Sequence, residues 1–227
     1  HYLILKDGDL TKRRYWDFHF NVDSHRKSNF ELTKNIFLER LRESVRKRLI
    51  SDVPLGVFLS GGIDSSAVVA MMSTLMDPSD IKTFSIGFKE KSYDEADSAS
   101  LVARHFKTDH HVKIIDGDMM MDVLPRILDI IDEPFADSSI IPTYLVSAFT
   151  REHVTVALGG DGGDELFMGY PSFVAHRLAS FYDVLPRPLK KLAEVSPKIL
   201  PGGSNYLSLQ FKAMRFLRGV NCPGPIR

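Results

Sequence analysis

Two hydrophobic periods alternate along this chain. Through 29–50 the apolar residues Phe37, Leu41, Val45 and Leu49 recur at four-residue steps, which specifies an amphipathic helix. Ser28-Asn29-Phe30-Glu31 reads as a capping box that opens it. Pro54 closes the helical region, and Val57-Phe58-Leu59 follows as a short buried strand. A second helix beyond it carries Ala67, Val68, Ala70, Met71, Met72 and Leu75, with the methionines as core filler. The β-favouring run 81–88 comes next, then a helix over 94–106 with Ala99, Val102, Ala103 and Phe106 on one face. A third strand is expected at 110–115, a helix at 123–131 with Pro125 near its first turn, a helix at 141–151 and a fourth buried strand at 154–158. Strands alternating with helices predict an α/β fold, a parallel sheet with helices on both faces.

The flanks depart from that rhythm. Residues 1–27 are polar and aromatic and read as a lead-in from a preceding domain, 28–180 as the α/β domain, and 181–227 as the helical, irregular start of a further region. Pro186, Pro188, Pro197 and Pro201 interrupt the last of these. The chain opens without methionine and is expected to be part of a longer protein.

The first candidate for chemistry is Ser60-Gly61-Gly62-Ile63-Asp64-Ser65-Ser66, set between strand and helix. Adjacent glycines let backbone approach a ligand closely. Ser65 and Ser66 place hydroxyls and amide N–H groups at a helix N-terminus, where anions are stabilised. A bare carboxylate at Asp64 would repel phosphate unless a divalent cation lay between them, and Mg²⁺ is commonly held by one or two carboxylates plus substrate phosphates. A glycine turn with serine caps is the bland alternative. No GxxxxGK[ST] and no GxGxxG after a strand occurs, which sets aside the Walker and dinucleotide motifs. The string matches the pyrophosphate loop of enzymes that split ATP between its α and β phosphates.

The second candidate is Gly159-Gly160-Asp161-Gly162-Gly163-Asp164-Glu165, four glycines and three acids in seven residues after a strand. So many glycines cost backbone entropy, and close approach to a ligand would account for them, with Asp161 and Asp164 facing metal or a substrate amine. A turn whose Asp164 caps the next helix is the alternative. The spacing does not fit a calcium loop. A weaker acidic element, Asp132-Glu133-Pro134-Phe135-Ala136-Asp137-Ser138-Ser139, lies between two helices, where Ser138 or Ser139 would cap. His110-His111 and His105 lack ligand spacing and read as structural. In open α/β sheets ligands bind beyond the carboxyl ends of strands. The loops at 60–66, from Gly87 onward and at 159–164 all leave such ends.

Composition narrows the classes. The chain has 227 residues, 44% of them apolar, and a formal net charge of zero, so neither a nucleic-acid nor a membrane surface is indicated. Arg40, Arg42, Arg46, Lys47 and Arg48 read as a solvated helix face. A single cysteine, Cys222, points to a reducing, cytoplasmic compartment. No apolar run approaches the ~18 residues of a membrane helix.

Four ordered segments together resemble the synthetase domain of the glutamine-hydrolysing asparagine synthetase family: DVPLGVFLSGGIDSS (52–66), TFSIGF (83–88), DEPFADSSIIPTYLVS (132–147) and ALGGDGGDELFMGY (157–170). The resemblance runs from about Tyr15 to Tyr170 and implies an adenine nucleotide α-hydrolase-like fold. It implies that ATP adenylates the side-chain carboxylate of aspartate and that ammonia displaces AMP to give asparagine. It places the backbone of Leu59 and Ile86, with Gly87, at the adenine and Gly159-Gly160 near the nucleotide. Ser60, Gly61, Gly62, Asp64, Ser65 and Ser66 would take the pyrophosphate portion. Mg²⁺ would fall to Asp64 and Asp164, and the catalytic acids would be Asp161 and Asp164. A glutaminase domain in the full-length protein and a homodimer are the partners it suggests. Two positions depart from the pattern: Asp161 stands where some members carry glutamate, and Met168 where glycine is frequent. The family's catalytic lysine has no counterpart by motif in Lys190, Lys191 or Lys212. A ligase for another carboxylate, β-lactam synthetase-like or peptide-modifying, and a nucleotide-binding module without turnover are the alternatives.

Overall fold

The computed structural model describes residues 1–17, 29–90, 94–133, 135–199, 208–220 and 222. Ser28, Pro134 and Pro201, used in the sequence reading, lie outside them. The chain divides into two units, His1–Arg40 and Leu41–Arg227.

The first unit holds a hairpin of β1 (Tyr2–Lys6) and β2 (Asp9–Arg13), antiparallel with Leu5 opposite Leu10. Asp7 and Gly8 form its two-residue turn with φ of 53° and 88°. Positive φ at both positions is what a tight hairpin turn requires, and Asp-Gly supplies it. The lead-in expected at 1–27 therefore contains regular structure. The helix α1 (Phe30–Arg48) begins here, and Asn29 caps it, accepting from the N–H groups of Glu31 (3.0 Å) and Leu32 (3.3 Å).

The second unit is built on a four-stranded parallel sheet in the order β5-β4-β3-β6. Its strands are β3 (Leu55–Phe58), β4 (Lys82–Phe88), β5 (Asp109–Ile115) and β6 (Val156–Leu158). Val57 pairs with Thr83 and Phe58 with Phe84, so period-two alternation sends Val57 and Phe84 to opposite faces. On the Val57 face, α2 (Ile63–Ser73) and α3 (Ala96–Phe106) bury Val69, Met72, Ala99 and Ala103 against Val57, Leu59 and Ile81, joined by Val45 of α1. On the Phe84 face lies α5 (Ile140–Arg151), whose Phe149 meets the Phe84 ring edge-on at 6.0 Å. The fold is α/β with a parallel sheet covered on both faces.

Two boundaries differ most from the sequence pattern. The helix expected at 123–131 is α4 (Gly117–Ile130), with Pro125 in its interior. Asp116 opens it early by accepting from Met119 N–H (3.0 Å), while Lys89 holds the same carboxylate at 2.7 Å. The fourth strand begins at Val156, because Val154 N–H bonds back to Thr150 (2.9 Å) and closes α5. Val154 is buried as part of that turn, and β6 is an edge strand. The segment beyond Tyr170 folds as α7 (Pro171–Asp183), α8 (Arg187–Ile199) and α9 (Leu209–Val220) around Ala179, Tyr182 and Val220. Pro171 and Pro188 sit in first helical turns, where a missing N–H costs nothing.

Candidate functional site

Strand order locates the site before any side chain does. The four-stranded sheet starts at β3, steps outward through β4 and β5, then returns to place β6 on the other side of β3. That reversal opens a crevice beyond the carboxyl ends of β3 and β6, the position where open α/β sheets bind ligands. The two glycine-rich loops leave these two strand ends.

The loop after β3 is held by its own serines. Ser60 N–H donates to Ser65 Oγ (3.2 Å), the two hydroxyls lie 3.0 Å apart, and Gly62 N–H donates to Ser60 Oγ (3.2 Å). Ser65 Oγ donates to the Gly62 carbonyl at 3.3 Å. Gly62 is the N-cap of α2 and supplies no side-chain cap, so first-turn N–H groups of that helix are left for another acceptor. Ser66 Oγ is buried with no hydrogen-bond partner among the described residues. Gly61 packs on the start of α3, where a methyl would lie 2.6 Å from both Ala99 N and Ser98 Cβ.

The loop after β6 lies directly on this one. A methyl on Gly160 would sit 2.7 Å from Ser65 N and 2.9 Å from the Asp64 carbonyl carbon. One on Gly163 would collide with the Asp64 carboxylate, one on Gly159 with that of Asp161, and one on Gly169 with that of Asp164. Asp64 is thus brought against the residue preceding Asp164. Both are half-buried, while Asp161 is exposed. Gly163 starts the single-turn helix α6 (Gly163–Phe167), which Met168 ends in the left-handed region at φ 58°. The departure from glycine at 168 therefore falls on a backbone conformation that glycine adopts more easily.

β4 contributes main chain. Leu59 N–H donates to the Phe84 carbonyl (2.9 Å), and the buried Ser85 hydroxyl donates to the Leu59 carbonyl. Phe84 thus turns its polar groups toward β3, and Ile86, two residues on, does the same past the last β3–β4 pair at Phe58–Phe84. Gly87 is buried, hemmed by Ile114, Ala96 and Asp94. Asp94 braces that turn by accepting from Phe88 N–H (3.3 Å) and Ala96 N–H (3.1 Å).

Among the described residues no ion pair engages Asp64, Asp161 or Asp164, and no three His, Cys, Asp or Glu side chains gather as a metal site. Carboxylates without basic partners beside uncapped helix N–H groups fit a cation that arrives with phosphates, since Mg²⁺ needs only one or two protein carboxylates. Asp64 and Asp164 are the residues that would hold it.

Other expected elements resolve as structural. Asp137 Oδ1 accepts from Ser139 N–H at 2.9 Å, which lowers the carboxyl's pKa; Ser139 is the N-cap of α5 but makes no side-chain cap bond. His110 Nδ1 lies 2.8 Å from Thr83 Oγ1, and His111 stacks on Phe84 at 5.2 Å. Of the basic residues of α1, Arg46 bonds within its own helix to Glu43 (2.7 Å), and Arg42 reaches Thr74 at the end of α2 (3.3 Å). Among the described residues, no helix is long and apolar enough to cross a membrane.

Sequence reasoning missed Ser85, Asp94 and the Glu165–Tyr170 pair. Asp94 was findable as an acid before a helix. The pair was not: Tyr170 Oη donates to Glu165 Oε1 at 2.5 Å. This bond first, then burial and the charges of Glu165, Asp164 and Asp161, pushes the phenol pKa up, while the same bond holds the Glu165 carboxyl below its ordinary value.

The family model for asparagine synthase matches residues 37–215. Similar proteins include a putative glutamine-hydrolyzing asparagine synthetase 2 from Methanocaldococcus jannaschii, 38% identical over 91% of this chain and 40% of its own length. The glutamine-hydrolyzing asparagine synthetase 1 of Bacillus subtilis is 36% identical over 92% of this chain and 32% of its own length. A Penicillium rubens protein named amidase chyE is 30% identical over 79% of this chain and 29% of its own length. This chain spans well under half the length of these relatives. Among solved structures, a glutamine-dependent NAD+ synthetase from Acinetobacter baumannii in complex with ADP aligns with TM-score 0.44 and 15% identity, over 83% of this chain and 46% of that one. With a family model matching most of its length, the chain belongs to the asparagine synthase family.

Proposed function

We propose that this chain is the ATP-dependent, amide-forming part of a ligase that adenylates the side-chain carboxylate of aspartate for attack by ammonia. The observation that carries the reading is the packing of Gly160 and Gly163 on Asp64 and Ser65 at the strand-order reversal. It sets uncapped helix N–H groups beside carboxylates that have no basic partner, the donor set for Mg·ATP.

In this reading the Ser60–Ser66 loop holds the pyrophosphate portion, and the main chain of Leu59 and Ile86, with Gly159-Gly160, borders the rest of the nucleotide. A substrate carboxylate oxygen attacks the α-phosphorus, and the bond to the bridging oxygen breaks as pyrophosphate leaves. Ammonia then attacks the acyl carbon, AMP departs with its oxygen, and the amide remains after loss of a proton. Bound Mg²⁺ supplies charge neutralisation at the phosphates. The backbone donors are fixed beforehand by the serine bonds within the loop, which is how a site stabilises developing charge without reorganising. Asp161 borders the acceptor and Asp164 serves metal or aspartate. The glutamine-hydrolyzing names of the relatives support a glutaminase domain as the ammonia source, and the cytoplasm as compartment rests on the single cysteine.

A second reading, a ligase for a different carboxylate, is favoured by the similarity to a protein named an amidase. One experiment separates the two. The complete protein is supplied with ATP, Mg²⁺ and ammonia and a panel of carboxylates, and AMP and pyrophosphate are measured. Release that requires aspartate is expected, with Asp64→Asn losing ATP affinity mainly when Mg²⁺ is present. Release with another carboxylate and not with aspartate replaces the acceptor; no release with any carboxylate leaves a nucleotide-binding module.

A further inference from the structure

Three acids fall within five residues at Asp161, Asp164 and Glu165, and the structure treats them differently. Asp161 is exposed and turned onto Gly159. Asp164 is half-buried against Gly169, and Glu165 is tied to the Tyr170 hydroxyl. The helix carrying the last two, α6, is five residues long, too short to be held by its own hydrogen bonds.

What holds it is the chain that follows. Met168 turns back in the left-handed region, Gly169 N–H donates to the Asp164 carbonyl at 3.0 Å, and the Tyr170 hydroxyl reaches Glu165. Tyr170 is itself anchored. It precedes Pro171, which favours the extended backbone seen there (φ −63°, ψ 134°), and its ring lies 6.2 Å from that of Phe173. The thirteen-residue helix α7 therefore holds one end of the clasp. At the other end the bare Cα of Gly169 leaves the room that the Asp164 carboxylate occupies. A methyl there would lie 3.0 Å from Asp164 Cγ and 3.2 Å from its Cα.

We propose that Gly169 and Tyr170 are positioning residues for Asp164, with the Tyr170–Glu165 bond withdrawing Glu165 and fixing α6 to α7 so that Asp164 has one orientation. The inference rests on the reading of this loop as the acid loop of an ATP-dependent ligase. Neither residue is required to touch substrate; each acts through Asp164.

The test compares Tyr170→Phe, Gly169→Ala and Glu165→Gln in the complete protein, with Asp164→Ala as reference. The readouts are kcat and KM for carboxylate-dependent AMP release, the Kd of Mg·ATP by calorimetry, and the thermal midpoint. Tyr170→Phe is expected to lower kcat about tenfold with an unchanged midpoint, since the pair is on the surface. Gly169→Ala is expected to approach Asp164→Ala, with kcat down about a hundredfold and the Kd of Mg·ATP up about tenfold, the scale of a misplaced functional group. Glu165→Gln keeps an acceptor for the phenol and stays near wild type, and adding it to Tyr170→Phe costs nothing more. Wild-type kcat and Kd in Tyr170→Phe and Gly169→Ala, alongside an impaired Asp164→Ala, would overturn the clasp and leave the ligase reading intact. Losses that merely follow a fallen midpoint would overturn it too. If wild type releases no AMP with any carboxylate, the ligase reading fails by itself; the clasp is then decided by Mg·ATP binding, and an unchanged Kd in Gly169→Ala overturns it.

Discussion

Replacing Gly160 by alanine tests the packing on which the site depends. The new methyl would lie 2.7 Å from Ser65 N, 2.9 Å from the Asp64 carbonyl carbon and 3.1 Å from Asp64 Cβ. Unstrained carbon contacts begin near ~3.5 Å, and the two shortest of these are to main chain, so no rotamer change relieves them. Either the loop after β6 or the first turn of α2 must move by roughly half an ångström or more. Overpacking of this kind costs about 1–3 kcal/mol, and misplacing a binding loop on this scale costs about tenfold to a hundredfold in function. The assay is calorimetric titration with Mg·ATP beside thermal unfolding, with two neighbours as controls. In Gly163→Ala the three atoms nearest the methyl all belong to the Asp64 carboxylate, which can swing aside, so metal-dependent ATP binding falls and stability holds. In Gly162→Ala the methyl enters open space at φ 92°, so stability falls by about 1–2 kcal/mol from the left-handed backbone alone. Gly160→Ala should lose both. Wild-type affinity and a wild-type midpoint in Gly160→Ala would refute the contact between the two loops.

Three further outcomes follow from single observations. Met168 is 63% exposed at φ 58°, so Met168→Gly should gain a few tenths to about 1 kcal/mol in denaturant unfolding by removing left-handed strain; a loss would mean that the methionine packs. Asp94→Ala should cost about 1–2 kcal/mol by removing the acceptor for Phe88 and Ala96 N–H, and Asp94→Asn, which keeps an acceptor, should recover most of it. Burial, aided by the charge of His111, lowers the pKa of His110 below its ordinary value of 6.5, and its Nε2 is buried without a hydrogen-bond partner among the described residues. The unfolded chain therefore takes up the proton first. Stability from this group is complete above about pH 6.5 and is lost as pH falls from there through the folded pKa. Thermal midpoints measured from pH 7.5 to 5 should decline less steeply in His110→Gln, and equal slopes would remove the claim.

The sheet was legible because each strand is a β-favouring apolar run between helical stretches, a pattern that survives without knowing what the strand pairs with. Boundaries were lost where a tertiary contact decides them. Val154 looks like strand but closes α5, and α4 starts six residues before its expected first turn because Asp116, held by Lys89 just past the end of β4, can cap it. The hairpin was missed although Asp7-Gly8 is a strong turn signal, because few of its residues show apolar alternation.

The glycine loops divide in the same way. Glycine in sequence says only that a side chain is not tolerated; it does not say by what. Gly160 is excluded by the backbone of α2, Gly163 and Gly169 by the carboxylates of Asp64 and Asp164, and Gly162 by its own φ. Two of these four causes are acids, so the glycines of this loop are partly the means by which the acids are aimed. A contact with backbone cannot be released without moving a helix, whereas a contact with a carboxylate is released by one rotation. The same alanine substitution therefore removes stability at one position and carboxylate placement at another, and that difference allows architecture and chemistry to be separated within a single loop.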